Sequence, residues 1–65
     1  MTKAQIQFII DCDVEELVQM LVNDKKVDVV TAFDMVYQSK IYEKLINLRT
    51  GLYLQSPQYI YDYLK

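Results

Sequence analysis

An all-α fold is predicted, a small bundle of three to four helices with a long first helix and a short C-terminal helix. Three observations predict it. Apolar residues in the first part of the chain recur at spacings of three and four, the period of one buried helix face. Residues that cap helix starts stand at the head of each apolar-periodic segment: Thr2, Asp28, Ser39 and Ser56. The only glycine and the only proline both lie after Thr50, so neither interrupts the segments before it.

The first helix is expected over residues 3–23. Thr2-Lys3-Ala4-Gln5 reads as a capping box, with Thr2 as N-cap and Gln5 reaching back to its backbone. Ile6, Ile9, Ile10, Val14, Leu17, Met20 and Leu21 form its apolar stripe. Lys25 and Lys26 stand at the C-terminal end, where the helix dipole favours cations. At 1.5 Å per residue this helix is roughly 30 Å long, the width of a small domain. Phe8, Val18 and Val22, with Cys12, form a second apolar lobe away from that stripe. A helix apolar on more than one face is buried on more than one side. A second copy of the chain is the natural cover for the extra lobe.

Asn23-Asp24-Lys25-Lys26 is a polar break, and Asp28 caps a second helix over residues 29–38. Its stripe is Val29, Ala32, Phe33, Val36 and Tyr37. Ser39 caps a third, short helix over residues 40–47 that buries Ile41, Leu45 and Leu48. Neither glycine nor proline forces a break at Gln38-Ser39, so the chain either bends there or runs on. Gly51 is placed to supply a turn with positive φ. Leu52-Tyr53-Leu54 is short and extended at most. Ser56-Pro57 opens the last helix, residues 57–64, because proline at the first helical position loses no hydrogen bond. Ile60 and Leu64 point inward.

Sixty-five residues make one domain, 1–65. A chain this short buries only about 60% of its unfolded surface, so it needs a disulfide, a metal, a partner or very good packing. One cysteine excludes an intrachain disulfide, and the absence of histidine leaves a poor zinc ligand set. The 52% hydrophobic content favours packing and oligomerisation. A net charge of −2 with a pI near 4.8 makes a poor polyanion binder, so no nucleic acid is expected as a partner. No apolar run reaches the roughly 18 residues of a membrane span, and residues 1–10 do not read as a signal peptide. The lone cysteine suits a cytoplasmic location.

Asp11, Asp13, Glu15 and Glu16 resemble the start of a calcium loop but place Glu16 where glycine is required, so a solvated helix face is the better reading. Asp13 falls on the helical wheel among Ile6, Ile10, Leu17 and Met20. A carboxylate there is solvated at an edge, paired, or turned to a partner. Arg49 is the obvious pairing candidate. Cys12 has no histidine to activate it and reads as a small buried hydrophobe. Serines equally lack a base, and no glycine-rich phosphate loop exists. The chain is therefore not expected to be an enzyme, to hold a cofactor or metal, or to take a small-molecule substrate.

Six tyrosines and no tryptophan exceed what one small core needs. Tyr53, Tyr59, Tyr61 and Tyr63 crowd the C-terminal end, with Tyr59 and Tyr63 on one helix face and Tyr61 on another. They either rim the core or form a partner surface, a use that suits an apolar body with a polar tip. With Phe8, Asp13, Val18 and Val22 they make up the candidate partner-binding residues. Residues 28–47 also admit a helix-turn-helix reading, but the recognition segment Lys40-Ile41-Tyr42-Glu43-Lys44 offsets its two lysines with Glu43.

The run Phe33-Asp34-Met35-Val36-Tyr37-Gln38-Ser39-Lys40-Ile41-Tyr42-Glu43-Lys44-Leu45, followed by Thr50-Gly51-Leu52-Tyr53-Leu54-Gln55-Ser56-Pro57 and Tyr61, resembles a group of small uncharacterised bacterial helical proteins. Their pattern is Tyr-x-Ser-x-x-Tyr-x-x-Leu, then Thr-Gly-Leu-Tyr, then a serine and a tyrosine-rich last helix. Proteins of this kind are often encoded beside toxin-like genes, ADP-ribosyltransferase-like ones among them. The resemblance implies an antitoxin-like or accessory role and assigns no functional residue. The expectation is a protein-interaction module that is also a homo-oligomer. The alternatives are a small helix-turn-helix DNA-binding regulator and a structural homodimer with no other partner.

Overall fold

The computed structural model describes residues 1–64. Four α-helices follow one another: α1 (Lys3–Lys25), α2 (Val29–Gln38), α3 (Lys40–Ile46) and α4 (Pro57–Leu64). Two single 3₁₀ turns, Leu48–Thr50 and Leu52–Leu54, join α3 to α4. No strand occurs among the described residues. The all-α bundle with a long first helix and a short last one is thus the fold.

Each helix starts where a side chain can take the place of a missing backbone partner. Thr2 accepts from the Gln5 N–H at 3.1 Å, and the Gln5 side chain accepts from the Thr2 N–H at 2.9 Å, so the capping box is complete. Asp28 accepts from the Thr31 N–H at 2.8 Å. Ser39 serves two helices. Its hydroxyl donates to the last carbonyls of α2 at Val36 (2.6 Å) and accepts from the Tyr42 N–H at the start of α3 (3.3 Å). With φ −81° and ψ 154° the residue is extended, so the chain bends at Ser39 without glycine or proline. Ser56 accepts from the Tyr59 N–H at 3.3 Å, with Pro57 at the first helical position.

α1 continues to Lys25, two residues beyond the expected end, and stops at Lys26 in the left-handed region (φ 57°). Its 23 residues span about 34 Å at 1.5 Å each, matching the molecule's longest dimension of 35 Å. The rest of the chain folds back along this rod. α2 packs on one flank; α4 and the second 3₁₀ turn pack on the other. Ile10, Val14, Leu17, Val18 and Leu21 of α1 meet Ala32 and Val36 of α2, Ile41 and Leu45 of α3, and Tyr53, Ile60 and Tyr61 in one apolar cluster.

This arrangement corrects the reading of the second lobe of α1. Val18 is only 2% exposed and Val22 is half-buried, both packed within the chain. α2 packs beside Val18, so that side of the lobe needs no second copy to cover it. Phe8 stays outside, 68% exposed, and Cys12 does not join the core cluster. Other details differ too. Leu52-Tyr53-Leu54 is a 3₁₀ turn and not extended, which lets Tyr53 turn into the core. Leu48, in the first 3₁₀ turn, is exposed, as are Val29 and Tyr37 at the margin of the α2 stripe. Cys12 is half-buried rather than the fully buried small hydrophobe expected.

Candidate interaction surface

The tyrosines divide. Tyr53 and Tyr61 belong to the core, at 9% and 4% exposure. Tyr59 and Tyr63 face outward. The split follows from helix geometry: residues four apart share a face, and the residue between them points elsewhere. The Tyr61 hydroxyl donates to Asp24 Oδ2 at 2.6 Å, tying the last helix to the end of the first. Burial, then the hydrogen bond and charge of Asp24, push the Tyr61 phenol up to about 12. Tyr53 and Tyr61 are therefore structural, which corrects their assignment to a partner surface.

Tyr59 and Tyr63 stand side by side, ring centroids 5.2 Å apart and hydroxyl oxygens 3.4 Å apart. With Ile41, Lys44, Thr50 and Leu52 they line an open depression of about 190 Å³. The loop beneath is fixed by Thr50. Its hydroxyl lies 2.6 Å from the Lys44 carbonyl and 2.9 Å from that of Asn47, and it accepts from the Leu52 N–H at 3.2 Å. Gly51 follows at φ 67°, as its position between two turns predicts.

A second exposed region lies at the start of α1, where Met1, Ala4, Gln5, Phe8 and Ile9 surround a shallow apolar hollow. A third runs between α1 and α2. Val14 and Val18 form its floor, Val29, Phe33 and Tyr37 its α2 wall, and Asp11, Glu15 and Gln19 its α1 wall, around a groove of about 390 Å³. The Phe33 and Tyr37 rings stack at 6.0 Å, and Tyr42 meets Tyr37 edge-on at 4.8 Å, so the α2 wall is held rigid by aromatic contacts. Phe33 packs against the core as its place on the α2 stripe predicts, whereas Tyr37 at the end of that stripe is 49% exposed, and no residue pattern marks the groove in advance.

Asp13 lies on the other flank of α1, two turns before Met20 and three before Asp24. It is 7% exposed, and its Oδ2 has no hydrogen-bond partner among the described residues. The position is neither a solvated edge nor an ion pair with Arg49, and it does not face outward to a partner. Burial first, then the charge of Glu16, pushes its carboxyl from 3.8 to about 6. Among the described residues no cluster of histidine, cysteine, aspartate or glutamate is placed to hold a metal ion. No described helix is long and apolar enough to cross a membrane. No protein-family model, curated protein or solved structure matches the chain.

Proposed function

We propose that this chain is a helical protein-interaction module that acts as an antitoxin-like or accessory partner in a bacterial operon. One observation carries the reading. The chain completes its own core and still leaves Phe8, Val30, Tyr37, Leu54, Tyr59 and Tyr63 between 45% and 78% exposed. Single exposed apolar residues are ordinary on protein surfaces. Grouped aromatic ones, rimmed by polar residues and held in place by stacking, are the mark of contact surfaces.

Tyrosine pairs such as Tyr59 and Tyr63 bring large contact area with few rotatable bonds, so little entropy is lost on binding. A DNA-reading role is not supported by α3, whose seven residues carry Lys40 and Lys44 against Glu43. The resemblance to small proteins encoded beside toxin-like genes supplies the kind of partner: the product of an adjacent gene.

Sedimentation velocity on the full chain mixed with that gene product tests the proposal. One species of combined mass is expected, together with relief of growth inhibition when the two are co-expressed. Two species sedimenting independently, with inhibition unchanged, would overturn it.

A further inference from the structure

The α1–α2 groove specifies the chemistry of what it would hold. Its floor and α2 wall are apolar: Val14 and Val18 below, Val29, Phe33 and Tyr37 beside. Its α1 wall carries Asp11 and Glu15, both exposed, and the lining includes no cation. Asp11 accepts one hydrogen bond, 2.8 Å from the Gln7 amide, and neither carboxylate is in an ion pair among the described residues. The groove therefore sets an apolar floor and α2 wall against one negative α1 wall.

We infer that this groove receives a cationic amphipathic helix from a protein partner. Such a helix lays residues at positions i, i+3, i+4 and i+7 along the apolar bed, where Val29, Phe33 and Tyr37 repeat at the matching interval of four. Lysine or arginine on one flank then faces Asp11 and Glu15. Complementary charge across the rim fixes orientation and speeds encounter. A second copy of this chain does not suit the groove, since its longest exposed helix face presents the same acids and like charges repel. The inference rests on the interaction-module reading and names the partner's recognition element.

Two synthetic helical peptides with one leucine stripe, one flanked by lysines and the other by glutamates, provide the probe. Fluorescence anisotropy with the full chain should show saturable binding of the lysine peptide that weakens as salt is raised. The double variant D11K/E15K should lose about tenfold in affinity for the lysine peptide and gain for the glutamate one. Both positions are exposed, so circular dichroism should show an unchanged fold. Amide shifts on binding should centre on Val18, Phe33 and Tyr37. Equal binding of both peptides, no binding of the lysine peptide, or shifts centred on Tyr59 and Tyr63 would overturn the inference. Capture of the adjacent gene product separates the two levels. If D11K/E15K captures it normally while Tyr59 and Tyr63 variants do not, the module reading stands and the groove assignment falls. If no surface substitution affects capture, the module reading falls with it.

Discussion

A carboxylate held among apolar side chains binds its proton more tightly than the same group in water. Asp13 is in that position, and the consequence is a stability that depends on pH. Its folded carboxyl titrates near 6 against 3.8 for the free group. The folded state therefore holds the proton over a range where the unfolded chain has lost it. The favourable contribution is complete below pH 3.8, fades as the pH climbs, and is gone above about 6. At neutral pH the buried charge costs on the order of 2 kcal/mol. Asp13→Asn removes that cost. The variant is expected to melt several degrees above the parent at neutral pH and level with it near pH 4, as read by circular dichroism across the two pH values. The same melting difference at both pH values would contradict the account. The anomaly of an acid in an apolar stripe was legible in the sequence. Its outcome was not, because edge, pair and burial differ only in how the rest of the chain folds back over α1. Tyr61 shows the same limit. Periodicity separated it from Tyr59 and Tyr63, but its link to Asp24 joins residues 37 apart in the chain.

Helices were legible wherever capping chemistry and apolar period agreed. Thr2, Asp28, Ser39 and Ser56 each cap as their residue types predict. The end of α1 was harder to place because Lys26 occupies a left-handed conformation that glycine usually takes. A lysine there bears the clash between Cβ and the following carbonyl. Lys26→Gly is expected to stabilise the protein by about 1 kcal/mol, measured as a higher urea midpoint at unchanged slope. A lower midpoint would show that the lysine itself makes a compensating contact. Gly51 stands opposite to this, with the residue matched to its φ of 67° and open space around it. Gly51→Ala should therefore destabilise through backbone strain alone, by about 1 kcal/mol. The 3₁₀ geometry of Leu52–Leu54 was not legible, since three apolar residues after a glycine carry no period. That turn is what sends Tyr53 inward and Leu54 outward.

At the scale of the whole molecule, α1 acts as a spine covered on two flanks, and a chain of 65 residues with a single cysteine gathers one apolar cluster around it. The sequence pattern showed that α1 had two apolar lobes and that α2 runs over 29–38, but not that α2 folds back along the Val18 side of α1. Burial within the chain places Tyr53 and Tyr61 in the core and leaves Phe8, Tyr59 and Tyr63 exposed. The central claim is that fold and contact reside in different side chains. An alanine series over Phe8, Tyr53, Tyr59, Tyr61 and Tyr63 tests this most directly, each variant read by its melting temperature and by its affinity for the adjacent gene product. Tyr53→Ala and Tyr61→Ala should destabilise the fold by about 3 kcal/mol or more. Tyr59→Ala and Tyr63→Ala should leave the melting temperature where it is and weaken the complex about tenfold. Melting temperatures that fall for every substitution, with affinity unchanged for all five, would contradict the account.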